Sequence, residues 1–170
     1  MSIRRIRSKR MRWLAGPATM VALTALTAVL PATAQADEIT VRIKRVKAID
    51  PGDALSRPDY LARVTIAGET FVTKPILNQT DISPPDWVFR KSVSPGWHDV
   101  KVEILDKDLT KNDFVDINRV DGKRDLDFKV NTRRCDISGF SGSVDCGSDI
   151  VRAGAERKSA EVTFTVRSRR

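Results

Sequence analysis

The chain has 170 residues and a formal net charge of +8, from 30 Lys and Arg against 22 Asp and Glu. Six of the basic residues and none of the acidic ones lie in residues 1–36, so residues 37–170 carry 24 basic and 22 acidic residues, a net charge of +2. A surface this close to neutral argues against non-specific binding of nucleic acid. Residues 37–170 are enough for one domain with a single core, which we expect to be monomeric.

Residues 1–36 have the pattern of an export signal. A cationic start precedes an uncharged apolar stretch, residues 14–30, and Ala34-Gln35-Ala36 forms a small-x-small cleavage site. A retained membrane anchor is the alternative, but the apolar stretch of 17 residues is shorter than the roughly 20 that a span needs. We therefore predict a secreted, extracellular domain of residues 37–170 with no transmembrane segment once the signal is removed.

Apolar and polar residues alternate along most of residues 37–170, which is typical of strands with one buried and one wet face. No segment sustains helical spacing, although residues 149–160 have room for a helical turn or two. Short strands separated by turn residues favour a sandwich or a barrel. We predict an all-β, eight-stranded antiparallel β-sandwich. Its strands are centred on residues 39–43, 64–66, 70–73, 87–93, 100–104, 115–118, 126–130 and 162–166.

Cys135 and Cys146 are the only cysteines, and they close a short loop rich in Ser and Gly. In an oxidising compartment such a pair forms a disulfide. Two thiols without a nearby His are too few for a zinc site.

Aspartate is concentrated in the connections that should meet at one end of the sandwich. If consecutive strands are antiparallel, the connections after the first, third and fifth strands, residues 49–59, 75–86 and 106–114, emerge together. Carboxylates gathered there repel one another unless a cation neutralises them, and hard oxygen ligands suit calcium. Ordinary solvated loop aspartates explain the same residues as well. The candidates are Asp50, Asp53, Asp59, Asp106, Asp108, Asp113 and Asp116, with Asp81 in the middle connection.

An EF-hand is excluded for the third connection, because Lys111 stands where its loop needs glycine and Ile117 where it needs glutamate. A different family is suggested by four stretches taken together. They are Asp53-x5-Asp59-Tyr60, Pro84-Pro85-Asp86-Trp87, Ile104-Leu105-Asp106-Lys107-Asp108 and Asn112-Asp113-Phe114. Together they resemble the calcium/lipid-binding C2 domain, shared by protein kinase C and synaptotagmin.

The resemblance covers roughly residues 39–130 and 160–168, and it implies a sandwich that binds calcium between loops at one end and then attaches to anionic phospholipid. It implies Asp53 and Asp59 as ligands from the first loop, and Asp106, Asp108 and Asp113 from the third. Asp50 and Asp116 have no counterpart and are candidates by proximity only. The order Pro58-Asp59-Tyr60 and the presence of Asp116 in place of a glycine depart from the family pattern.

These observations predict a calcium-binding module for an anionic phospholipid surface or a protein partner. Leu55 and Leu109 lie in the acidic loops and would dip into a bilayer once calcium screens the aspartates. A calcium-independent structural or adhesion-type sandwich is the alternative. We do not expect an enzyme, because the acidic loops offer aspartate only and His98 has no nucleophile that can be paired with it.

The first strand also carries a row of cations. They could meet lipid phosphates, although such a row is more often a solvated strand face. The residues are Arg42, Lys44, Arg45 and Lys47.

Overall fold

The computed structural model describes residues 36–52, 57–108, 112–142 and 144–170. Within these ranges every regular element is a β-strand. The predicted export signal lies outside them except for Ala36, so it stays a prediction. The strands are β1 (Asp37–Asp50), β2 (Tyr60–Ile66), β3 (Glu69–Val72), β4 (Asp81–Ile82), β5 (Trp87–Val93), β6 (Trp97–Asp106), β7 (Asp113–Val115), β8 (Leu126–Asn131), β9 (Asp136–Ser138), β10 (Val144–Asp145), β11 (Ile150–Ala153) and β12 (Ser159–Arg169).

The strands form two antiparallel sheets. In one sheet the order is β11-β12-β1, and both β4 and β5 pair with the other edge of β1, β5 along its first half and β4 along its second. In the other sheet the order is β10-β9-β8-β6-β2-β3, and β7 pairs with the last residues of β6. The predicted all-β antiparallel sandwich is confirmed.

The core lies between the sheets and follows from the alternation in the sequence. Ile39, Val41 and Ile43 on β1 have no exposed surface, and their polar neighbours face the solvent. A β-bulge between Ile43 and Arg45 then shifts the pairing with β12 by one residue. The next buried side chain is therefore Val46, three positions after Ile43, because the bulge inserts one residue into the alternation.

The structure contains more strands than we predicted, and the additional ones are short. Strands β4, β9 and β10 have only two or three residues, too few to show an alternation in the sequence. The helical turn allowed for residues 149–160 is wrong. Ile150–Ala153 instead forms β11, because it finds a free edge of β12 to pair with.

Cys135 and Cys146, which we predicted to form a disulfide, lie at disulfide distance, with their Cα atoms 5.5 Å apart. The bonded segment is attached to β12, where Gly147 N donates to Val166 O at 2.7 Å. Between the two cysteines, Phe140 packs against Phe128 with ring centroids 5.0 Å apart. The segment is thus folded onto the sandwich.

No helix in the described part of the chain is long and apolar enough to cross a membrane.

The acidic end of the sandwich as a candidate site

Strand pairing brings three of the candidate aspartates to neighbouring strand ends. Tyr60, the first residue of β2, pairs with Asp106, the last residue of β6, and Asp106 also pairs with Asp113, the first residue of β7. Asp59 directly precedes Tyr60. Because adjacent strands lie about 4.8 Å apart, these carboxylates share one edge of the sandwich. We call this edge the acidic end and define it by Asp50, Asp59, Asp106, Asp108 and Asp113.

Hydrogen bonds tie the first and third loops together at this end. Asp59 N donates to Asp106 Oδ1 at 2.7 Å, and Lys107 N donates to Asp59 O at 2.9 Å. The middle connection joins them through its backbone, since Asn78 N donates to Asp59 Oδ1 at 2.8 Å. Asp81 lies elsewhere and accepts from Arg45 Nε at 2.8 Å. The three connections meet at one end, as the strand directions predicted.

The carboxyl group of Asp106 is half-buried at the acidic end, and its surroundings shift its pKa. Burial raises its pKa above the ordinary value, and the charges of Asp108 and Asp59 raise it further. The hydrogen bond from Asp59 N and the ammonium of Lys158 lower it only in part. The ionised form is therefore disfavoured at this position, and an added positive charge would stabilise it.

A lysine from a distant part of the chain reaches into the acidic end. Lys158 precedes β12, and its Nζ donates to Asp113 Oδ2. This hydrogen bond raises the lysine pKa, and the charges of Asp113, Asp108 and Asp106 raise it further. The stem of Lys158 lies over Gly52, where a Cβ would be 2.1 Å from Lys158 Cγ. Gly52 has a φ of +74°, which glycine adopts readily, and its lack of a side chain leaves room for the lysine stem.

Asp116 is separate from this group and has a structural role. It is fully buried, with Oδ1 accepting from Asn118 N at 2.9 Å and Oδ2 accepting from Ala155 N and Glu156 N at 2.8 Å each. Its main chain also bonds the segment before β12, since Asp116 N donates to Lys158 O at 2.7 Å. Asp116 therefore fixes the segment that carries Lys158 into the acidic end.

No family model and no curated protein matches the chain. Solved structures do match. A structure of the two C2 domains of extended synaptotagmin 2 is 11% identical and has a TM-score of 0.58, with 88% of this chain and 47% of that chain covered. A structure described only as a C2 domain is 11% identical with a TM-score of 0.52, covering 78% of this chain and 97% of that one. The chain has a C2-like fold.

A human GIVD cytosolic phospholipase A2, in complex with a fluorophosphonate inhibitor and terbium chloride, is 16% identical with a TM-score of 0.50. The match covers 80% of this chain but only 18% of the phospholipase chain. At these identities the likeness concerns the fold alone.

In the C2-like fold of this chain, the residues implied by the family resemblance are only partly brought together. Asp59, Asp106 and Asp113 lie on adjacent strand ends, and Asp108 is exposed beside them. Asp53, Leu55 and Leu109 lie outside the described residues. Across residues 36–52, 57–108, 112–142 and 144–170, no three His, Cys, Asp or Glu side chains are grouped as ligands of one metal ion. Asp50 closes its own turn, with Oδ1 accepting from Gly52 N at 2.7 Å.

Sequence reasoning missed two features of this end of the C2-like fold. Lys158 is 45 residues from its partner Asp113, and no local pattern indicates their contact. Ile49, the second-to-last residue of β1, and Leu77, in the middle connection, are each 54% exposed. An apolar residue near the end of a predicted strand or in a connection is the only sequence signal for either.

Proposed function

We propose that the chain is a secreted, non-enzymatic binding module whose acidic end takes up calcium and then attaches to an anionic phospholipid surface or a protein partner. The meeting of Asp59, Asp106 and Asp113 on adjacent strand ends carries this proposal. Burial raises the pKa of Asp106 there, and the charges of Asp108 and Asp59 raise it further. Calcium favours carboxylate oxygens in flexible loops. A calcium-bound structure of extended synaptotagmin 2, 12% identical with a TM-score of 0.51, supports calcium as an ion that this fold accommodates.

The donor chemistry fits calcium, and one internal contact opposes it. The ion would be held by Asp59, Asp106, Asp108 and Asp113. The sequence adds Asp53 as an expected ligand. Lys158 donates to Asp113 Oδ2, so an ion at this carboxylate would compete with the lysine charge. Bound calcium would supply the positive charge that lets this end approach phosphate groups. We leave Asp116 out of the ligand set, because it is fully buried and both of its carboxylate oxygens accept backbone N–H groups. Asp50 stays a candidate by proximity only.

Thermal unfolding of the purified chain in about 1 mM calcium or in chelator tests the proposal. Extracellular modules bind calcium with a Kd of about 10⁻⁴ M, so about 1 mM should stabilise the native state by about 1.4 kcal/mol. The variant Asp106→Asn/Asp108→Asn should lose this stabilisation. Asp86→Asn/Asp121→Asn removes the same charge at exposed positions outside the acidic end and should keep it. No calcium effect in the parent chain would contradict the proposal.

The Lys158–Asp113 contact favours a second candidate, a calcium-independent module in which the lysine is the permanent counter-ion of the acidic end. The variant Lys158→Met distinguishes the calcium-binding candidate from the calcium-independent one, because methionine keeps an apolar stem over Gly52 and removes the charge. The side chains of this pair are 30% and 44% exposed, so it contributes about 0.2–1 kcal/mol. If calcium competes with Lys158, calorimetric titration should show about 1.4- to 5-fold tighter binding in the variant. Absence of calcium binding in both parent and variant would favour the second candidate.

Sedimentation with phosphatidylserine vesicles distinguishes a lipid surface from a protein partner. Ile49 and Leu77 are exposed at the acidic end and would enter the interface on docking. Ile49→Ser/Leu77→Ser should weaken calcium-dependent sedimentation. Trp97→Ser removes an apolar side chain that is 47% exposed at the opposite end of β6 and should have little effect. Calcium binding without any sedimentation of the parent chain would leave a protein as the partner.

A further inference from the structure

Arg42 and Lys44, two of the cations of β1, line a trough on the solvent face of the first sheet, and no aspartate of the acidic end belongs to its lining. The trough has a volume of about 1330 Å³ and is flanked along β12 by the disulfide segment. This volume exceeds the roughly 300–1,000 Å³ of pockets that enclose a small molecule, so an extended ligand suits it better. Its basic side chains come from three adjacent strands. They are Arg42, Lys44, Arg90, Arg167 and Arg169.

Three of these cations have no anionic partner within the described residues. Lys44 binds Asp149 through both carboxylate oxygens at 2.8 Å, and Arg90 lies 4.0 Å from Glu38. Arg42, Arg167 and Arg169 are exposed, and their side chains make no ion pair or hydrogen bond with the described part of the chain. The trough therefore holds an excess of positive charge.

The strand register places the unpaired guanidinium groups close to one another. Arg42 pairs with Thr165, and the next outward pair along the sheet is Thr40 with Arg167. Arg169 follows Arg167 at a spacing of two residues, about 6.7 Å along the strand, and pairs in register with Glu38, whose carboxylate lies 4.0 Å from Arg90. Neighbouring like charges repel, and an anion lying across them would relieve the repulsion. Guanidinium groups bind sulfate, phosphate and carboxylate through paired N–H donors.

The position of the trough separates it from any surface that the acidic end engages. Lys44, the lining residue of β1 nearest to the acidic end, lies six residues from Asp50, about 20 Å along the strand. A flat bilayer docked on the acidic end would not reach the trough. Cys146, Gly147 and Ser148 form part of the lining beside the arginines, which are themselves exposed. An extended chain lying along the strands can therefore reach them.

We propose that this trough binds a linear acidic polysaccharide, with its anionic groups on Arg42, Arg167 and Arg169. The hydroxyl of Thr40, which pairs in register with Arg167, lies beside the arginines and can bond a sugar hydroxyl. The lining contains no aromatic residue on which a nucleic-acid base could stack. This site is independent of calcium and of the proposed function of the acidic end.

Binding of heparin to the purified chain in chelator tests the proposal. The variant Arg42→Gln/Arg167→Gln/Arg169→Gln should weaken binding by at least about 10-fold at low salt and reduce the slope of log Kd against log salt by about 2–3. Lys74→Gln/Arg119→Gln/Lys123→Gln removes the same charge from exposed residues outside the trough and should change Kd by less than about 2-fold. Asp106→Asn/Asp108→Asn should bind heparin like the parent.

Four results would overturn the proposal. They are no binding of heparin by the parent chain, equal losses in both triple variants, binding that requires calcium, and tighter binding of DNA or phosphatidylserine vesicles than of heparin at the same arginines. If the triple variant does not show the parent's circular dichroism, the single variants Arg42→Gln and Arg167→Gln replace it. Each should weaken heparin binding by about 2- to 3-fold, and unchanged affinity in both would also overturn it.

Discussion

Replacing the carboxylate of Asp116 should strongly destabilise the domain, although its position in the sequence suggested a calcium ligand. The side chain has no exposed surface and accepts three backbone hydrogen bonds. Asp116→Asn keeps the volume of the side chain but leaves one oxygen to accept. With that oxygen turned to Ala155 N and Glu156 N, the new amide group faces Asn118 N, so Asn118 N loses its acceptor and the amide N–H groups add buried donors beside it. Each such donor costs about 1–3 kcal/mol.

This loss corresponds to a fall in Tm of roughly 4–12 °C for a domain of this size. Denaturant unfolding followed by tryptophan fluorescence measures it, since Trp87 is only 7% exposed when folded. Asp121→Asn removes a charge from an exposed turn and should change stability by less than about 0.5 kcal/mol. The loss in Asp116→Asn should also be the same with calcium and with chelator. A loss below about 0.5 kcal/mol, or one that appears only with calcium, would refute a structural role for this carboxylate.

Three further predictions concern other parts of the sandwich. Arg63→Leu should cost about 1–3 kcal/mol in urea unfolding because it leaves the buried carboxylate of Glu103 unpaired, and Arg63→Leu/Glu103→Leu should recover most of that loss. Cys135→Ser/Cys146→Ser should cost about 3 kcal/mol for a loop with a sequence separation of 11, measured against the oxidised parent. Burial, and secondarily the charge of Asp106, raises the pKa of Tyr60. This shift stabilises the folded state fully below pH about 10. Above that pH the free energy of unfolding should fall by about 1.4 kcal/mol per pH unit. In Tyr60→Phe, alkaline unfolding should lack this contribution.

The long strands could be predicted from the sequence because their burial is one-sided. In β1, β6 and β12 the alternation runs over several pairs of residues, and a wet face makes it visible. The bulge at Arg45 could not be predicted, since the sequence there shows only one extra polar residue. Strand β11 depends on pairing with β12, and four residues are too few to show a period.

For the acidic end, strand direction was sufficient to place Asp59 beside Asp106. Antiparallel order alone puts alternate connections at the same end, without any knowledge of the side chains. The roles of two other residues depend on contacts across the sandwich that no spacing encodes. Lys158 reaches Asp113 from the connection before β12, and Asp116 turns inward to bind that same connection. Only the packing of the fold shows that Lys158 is a counter-ion and that Asp116 anchors the connection before β12. In the sequence both look like ordinary loop residues.

The near-neutral balance of residues 37–170 conceals a separation of charge along β1. Its first half presents Arg42 and Lys44 to the trough, and its last residue, Asp50, belongs to the acidic end. The net charge of residues 37–170 cannot reveal this arrangement, because the positive charges of the trough and the negative charges of the acidic end cancel in the sum. Their responses to solution conditions nevertheless differ. Salt should weaken anion binding in the trough directly, whereas the acidic end repels anions until a cation neutralises it. Calcium and ionic strength, varied independently, therefore assign any bound anion to one surface or the other.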